Sequence, residues 1–252
     1  MANNCIFCGN PAGSREHIWP AWILARKDFG PFRLKRAGAP DINLNTELTT
    51  KAVCHGCNTG WMSKLEAQVK PILEPMFEGK HVTLDIHQQH LIAIWIVKTA
   101  FVWDSTKGRG TDNAFFRKAD GLVLGEGIMP PFTAVWLARI DGDYRSADGH
   151  DITLEDGEPP RRVGGGNVVT IVNERFVAQI VSLRRDQMPA GPAVIQLDLA
   201  PGDWSDLLVR IWPQDNANPV EWPPPKTLTI LDYLLLRDRW RTGDQADRIV
   251  HR

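Results

Sequence analysis

A chain of 252 residues, 43% hydrophobic and 23% charged, can bury a substantial core, as one large domain or two ordinary ones. Its net charge of −1 gives the molecule as a whole no electrostatic footprint for nucleic acid. No apolar run reaches the roughly 18 residues that span a bilayer, and the N-terminus lacks a basic-then-apolar secretory pattern. These features predict a cytoplasmic, reducing setting in which cysteines stay available to metal.

Residues 1–66 hold all four cysteines, with eight basic and five acidic side chains, a local excess of +3. Cys5-x-x-Cys8 and Cys54-x-x-Cys57 form two knuckles separated by 45 residues. A two-residue gap lets both sulfurs of a knuckle reach one ion, and two knuckles complete the tetrahedron that Zn²⁺ accepts from thiolates. Four sulfurs leave no open coordination position, so this zinc is expected to fold the segment and not to catalyse. The alternative is two unrelated pairs of buried thiols. Between the knuckles lies Ser14-Arg15-Glu16-His17-Ile18-Trp19-Pro20, and Asn58 directly follows the second. Arg26, Lys27, Arg33, Lys35 and Arg36 are interleaved with Trp22, Phe29 and Phe32. They read either as a nucleic-acid-binding cluster that tracks phosphates and stacks bases or as a solvated loop. Trp19, Trp22 and Trp61 read as core.

The stretch from Lys70-Pro71 to Gly79-Lys80 is expected to break the pattern. Asp85 can cap a mostly buried helix that runs through Ile94 and Val102, and Lys98 within it reads as snorkelling or paired. Residues 107–128 read as a surface loop. Strands are expected at Thr133–Ile140, Val168–Val172, Phe176–Leu183, Val194–Leu199 and Leu207–Trp212. The second and third of these suit a hairpin turning at Asn173-Glu174-Arg175. Trp222 before Pro223-Pro224-Pro225 marks a stiff stop. Leu228–Trp240 reads as a last helix followed by a charged tail. Gly164-Gly165-Gly166 reads as a flexible turn, and His81, His87 and His90 as a loose cluster without a carboxylate motif. The expected fold class is α+β: an N-terminal zinc-stapled module over 1–66, then a mainly antiparallel α+β domain over 67–252.

Glu16, His17 and Asn58 are the residue types that phosphodiester hydrolysis uses. A neutral imidazole can take a proton from water near neutral pH. A hard divalent cation that neutralises charge on the phosphate takes oxygen ligands, which a Glu carboxylate and an Asn carbonyl supply. The combination of both knuckles, Glu-His-Ile-x-Pro and Cys-Asn resembles the HNH endonucleases of the ββα-metal fold. Gly60-Trp61-Met62-Ser63-Lys64-Leu65-Glu66 resembles the helix of a zinc-knuckle-containing bacterial subgroup. The resemblance covers about a quarter of the chain. It implies His17 as general base, Glu16 and Asn58 as ligands of a catalytic Mg²⁺ or Mn²⁺ distinct from the zinc, and Asn43, with Asn45 the alternative, as the residue that positions the His loop.

That reading makes the chain a metal-dependent endonuclease acting on DNA, with RNA not excluded and, by analogy alone, a role in bacterial defence. The competing readings are a non-catalytic zinc module that binds nucleic acid or protein, and a nuclease gated by a ligand of the C-terminal domain. A homodimer and a small-molecule ligand of residues 67–252 stay open as partners; a membrane partner is not expected.

Overall fold

The structure is a computed structural model that describes residues 4–30, 32–35, 42–44, 48–106, 115–156, 161–184, 204–214, 218–238 and 247–251. Arg36 and the expected strand Val194–Leu199 lie outside the described residues.

The chain opens with strand β1 (Ser14–His17), a single helical turn α1 (Ala21–Leu24), and strands β2 (Phe32–Lys35), β3 (Ile42–Leu44) and β4 (Thr49–Val53). β1 and β4 pair antiparallel as a two-stranded sheet, with a bulge between Ser14 and Glu16. A short helix α2 (His55–Cys57), a π-type turn (Asn58–Met62) and helix α3 (Ser63–Phe77) follow. The expected break at Lys70–Lys80 is absent: α3 runs through Pro71 and Pro75 to Phe77. Both prolines lie off the buried stripe of Leu65, Val69, Leu73, Met76 and Phe77. Burial of that stripe outweighs the two backbone hydrogen bonds the prolines cannot make. The expected domain division at residue 66 falls inside this helix.

After strand β5 (Val82–Leu84) comes helix α4 (Ile86–Asp104). Asp85 caps it as expected, its carboxylate accepting from Gln88 N at 2.8 Å while the Gln88 side chain accepts from Asp85 N at 3.0 Å. Every residue of α4 from Ile92 to Asp104 is buried, as a helix sandwiched on all sides must be. The expected loop after it contains helix α5 (Lys118–Gly125).

Two 24-residue strands, β6 (Thr133–Asp156) and β7 (Arg161–Arg184), pair along nearly their whole length. The expected hairpin strands 168–172 and 176–183 are both part of β7, and the registered partner of each is β6. The ribbon nevertheless folds over at the expected place. Glu174 has φ 53°, and β6 carries an irregularity opposite it between Arg139 and Tyr144. Gln179 Nε2 donates to Thr170 Oγ1 at 3.2 Å, across the fold. The Gly164–Gly166 run belongs to β7 and is not a turn. A Cβ on Gly166 would lie 2.6 Å from Leu183 Cδ2, so the doubled ribbon needs glycine there.

Folding over changes which residues face which core. Val169, Ile171, Phe176, Ala178 and Ile180 join a core that also contains α3, α4, Cys5, Phe7 and Ile18. Val168, Val172, Val177 and Val181 face a second core with Tyr233 and Leu236. The inward parity switches from odd to even across Glu174, because one residue with positive φ breaks the alternation. Strand β8 (Val209–Trp212) adds to the first half of β6, and β9 (Val220–Trp222) pairs with β5. Helix α6 (Ile230–Asp238) supplies Tyr233 and Leu236. The expected charged tail contains strand β10 (Asp247–His251), which lies between β2 and β6 through Ile249 and Val250. The fold is thus mixed α and β with antiparallel sheets. Among the described residues no helix is long and apolar enough to cross a membrane.

Candidate metal centre and the adjoining hairpin

The two knuckles meet. The four Sγ atoms of Cys5, Cys8, Cys54 and Cys57 all lie within 4.8 Å of one another, with Cys8 Sγ and Cys54 Sγ 3.5 Å apart. A tetrahedral zinc with bonds of about 2.3 Å sets its sulfurs about 3.8 Å apart, so the cluster fits that ion. Cys54 Sγ also accepts from Cys57 N at 3.3 Å, which orients the second knuckle. Burial pushes the Cys8 and Cys57 thiols up, and their sulfur neighbours add to the rise at Cys57. Burial also resists ionisation of Cys54, yet the Cys57 N–H and the surrounding thiols bring it down to about 7. One thiolate thus forms readily and hinders the next, a conflict that a divalent cation removes. Among the described residues these four are the group of ligating side chains placed to share an ion. His81, His87 and His90 do not converge. His81 pairs with Glu221 at 3.0 Å, and His90 meets the Gly127 carbonyl at 3.1 Å.

The cluster is held by packing on both sides. Phe7, inside the first knuckle, packs edge-on against Trp61 and beside Phe101 of α4. Trp19 is buried, and Trp22 and Trp61 pack half-buried against the same core. α5 sits on the first knuckle so closely that a Cβ on Gly121 would be 1.9 Å from the Ile6 carbonyl oxygen.

The hairpin beside the cluster carries the other candidates. Asn58 Nδ2 donates to Ser14 Oγ at 2.9 Å and to the Arg15 carbonyl at 3.0 Å. The residue after the second knuckle therefore clamps the strand that presents Glu16 and His17. β1 runs through both Glu16 and His17, so their side chains alternate. Glu16 is opposite Thr50 on the buried face, at 7% and 9% exposure, and His17 is opposite Thr49 on the half-exposed face.

Glu16 does not stand alone in the interior. Lys98 Nζ, with its side chain fully buried, is 3.3 Å from Glu16 Oε1 and 3.0 Å from Glu66 Oε1. Burial pushes the Glu16 carboxyl up, Lys98 pulls it back, and Glu66 adds to the rise. Burial opposes the charge on Lys98, but the two carboxylates hold it above the ordinary lysine value. The sequence reading left Lys98 as snorkelling or paired, and it is paired. Glu66 escaped that reading; a lysine inside an apolar helix demands a carboxylate, but nothing local says which one.

Two members of the basic cluster are paired. Arg26 Nε donates to Glu174 at 2.8 Å, and its Nη2 is 3.3 Å from Glu78. Lys27 pairs with Asp143. Both charges are therefore balanced inside the molecule, where they tie the N-terminal segment to α3 and the folded ribbon. Arg33 and Lys35 lie on β2, and Asn43 is registered opposite Arg33 on β3. No family model matches the chain, and no curated protein or solved structure matches it either.

Proposed function

We propose that the knuckle-bearing segment is a zinc-stapled, HNH-type module that hydrolyses DNA phosphodiester bonds with a divalent metal. The observation that carries this reading is the Asn58 clamp. Asn58 and the Glu16–His17 pair, distant in sequence, form one unit through the hydrogen bonds from Asn58 Nδ2 to Ser14 and Arg15. In this reading His17 takes the proton from water on the half-exposed face of the hairpin. Asn58 and Glu16, whose Oε1 meets Lys98, would hold Mg²⁺ or Mn²⁺. The ion supplies charge neutralisation on the phosphate. The cysteine cluster fixes the second knuckle, and with it Asn58.

The test is cleavage of plasmid and linear DNA with Mg²⁺ or Mn²⁺ by the wild type, His17→Ala and Asn58→Ala. Cleavage that disappears in both variants at unchanged zinc content supports the reading. Cleavage that survives His17→Ala sinks it.

A second reading, a non-catalytic zinc module that binds nucleic acid, is favoured by the burial of Glu16 against Lys98. It predicts a wild type that binds DNA and cuts nothing with either metal.

A further inference from the structure

The register of the first hairpin segregates its charges. Glu16 and Thr50 face each other on the buried side, and His17 and Thr49 on the other. Arg15 sits at the bulge, across from the Lys51–Ala52 stretch that lies between the registered residues Thr50 and Val53, and Arg15 and Lys51 are both exposed. The carboxylate of β1 is thus turned inward to Lys98, while its arginine and the lysine of β4 are turned outward beside His17. The two cations thus lie across one pair of strands and act on one small patch. Among the described residues neither Arg15 nor Lys51 has an ion pair. Arg26 and Lys27, by contrast, are balanced by Glu174, Glu78 and Asp143. Asn58 fixes the backbone of the bulge at the Arg15 carbonyl, so the patch has a rigid base.

We propose that Arg15 and Lys51 form a phosphate clamp that lays a nucleic-acid backbone across the outer face of the hairpin next to His17. The clamp replaces Arg26 and Lys27 as the electrostatic contact. It rests on the phosphodiester reading for its partner, but it needs only binding. A guanidinium gives a planar, two-pronged contact to a phosphate, and an ammonium gives a point charge. Two such groups beside a histidine would hold one stretch of strand without reading bases.

The experiment measures binding of a fluorescent DNA duplex by the full chain, without added Mg²⁺ or Mn²⁺, between 50 and 200 mM salt. Each lost phosphate contact lowers the slope of log affinity against log salt by about 0.9. The Arg15→Gln/Lys51→Gln double variant is expected to lose about 1.8 from the slope, and Lys27→Gln is expected to lose none. Zinc content and melting temperature, unchanged in the double variant, show that the fold is intact. A double variant that keeps the wild-type slope, or a slope that falls with Lys27→Gln instead, overturns the clamp. So does a wild type that binds no DNA. Cleavage measured in parallel separates the two ideas: binding that depends on Arg15 and Lys51, without cleavage, keeps the clamp and removes the nuclease reading.

Discussion

Replacing Lys98 with methionine removes the cation that Glu16 and Glu66 share while keeping most of the length of the side chain. Lys98 is fully buried, and the Glu16 and Glu66 side chains are 9% and 23% exposed. Two charge-assisted hydrogen bonds disappear, each worth about 1.5–3 kcal/mol, and a buried carboxylate is left without a counter-ion. Breaking a buried pair from one side costs about 3–5 kcal/mol, and the low exposure of Glu16 places Lys98→Met within that range. The chain can lower the cost by protonating Glu16. Burial already raises that carboxyl, and losing Lys98 removes the pull that opposes the rise. A carboxyl raised in the folded state contributes stability that is complete below its unfolded value and is lost as pH rises through the folded one. The deficit of Lys98→Met against the wild type should therefore be smallest near pH 5 and grow toward pH 8. Adding Glu16→Gln should recover part of it. Urea unfolding followed by tryptophan fluorescence at pH 5, 6.5 and 8 measures both effects. A deficit under about 1 kcal/mol, or one equal at all three pH values, would refute the assignment of Lys98 as the interior counter-ion.

Three further outcomes are expected. Stripping the cysteine cluster with a strong chelator, or Cys57→Ser, should cost stability on a scale that approaches the roughly 10 kcal/mol of structural zinc sites. The loss should spread into α4, which shares the core with Cys5 and Phe7; hydrogen exchange confined to residues 4–66 would contradict this. Gly121→Ala must move α5 or the first knuckle, because its Cβ would meet the Ile6 carbonyl oxygen at 1.9 Å. It should destabilise by about 1–3 kcal/mol, and a melting temperature equal to wild type would show that the contact is absent in solution. A double-mutant cycle of Arg26→Met and Glu174→Gln should give a coupling of about 0.5–3 kcal/mol, since these side chains are only 17% and 10% exposed. Zero coupling would return Arg26 to the pool of free cations.

The features legible in the sequence were those written locally. The knuckles announce themselves by spacing, the start of α4 by Asp85 and the following apolar run, and the fold in the long ribbon by the turn residues around Glu174. What stayed hidden depends on distance along the chain. Glu16 and Lys98 are 82 residues apart, and Arg26 and Glu174 are 148 apart. Arg26 looked like a free cation because its partner is in another part of the fold. α3 defeated local reasoning for a different reason. Its prolines signal a break, and only the tertiary burial of Val69, Leu73 and Phe77 overrides them. At the candidate site, the resemblance implied that the strand ends in a loop at Glu16 and His17. The alternation of a strand sends one inward and the other outward, a consequence of β1 continuing through both.

The seat of α5 on the first knuckle also imposes an order of events. Cys57 is synthesised well before Gly121, so a growing chain has all four thiols in hand before it can make the helix that covers them. α5 then docks over Ile6, with Lys118 lying across Gly9, so the backbone of the first knuckle takes its final support from a segment made about 60 residues after the second knuckle.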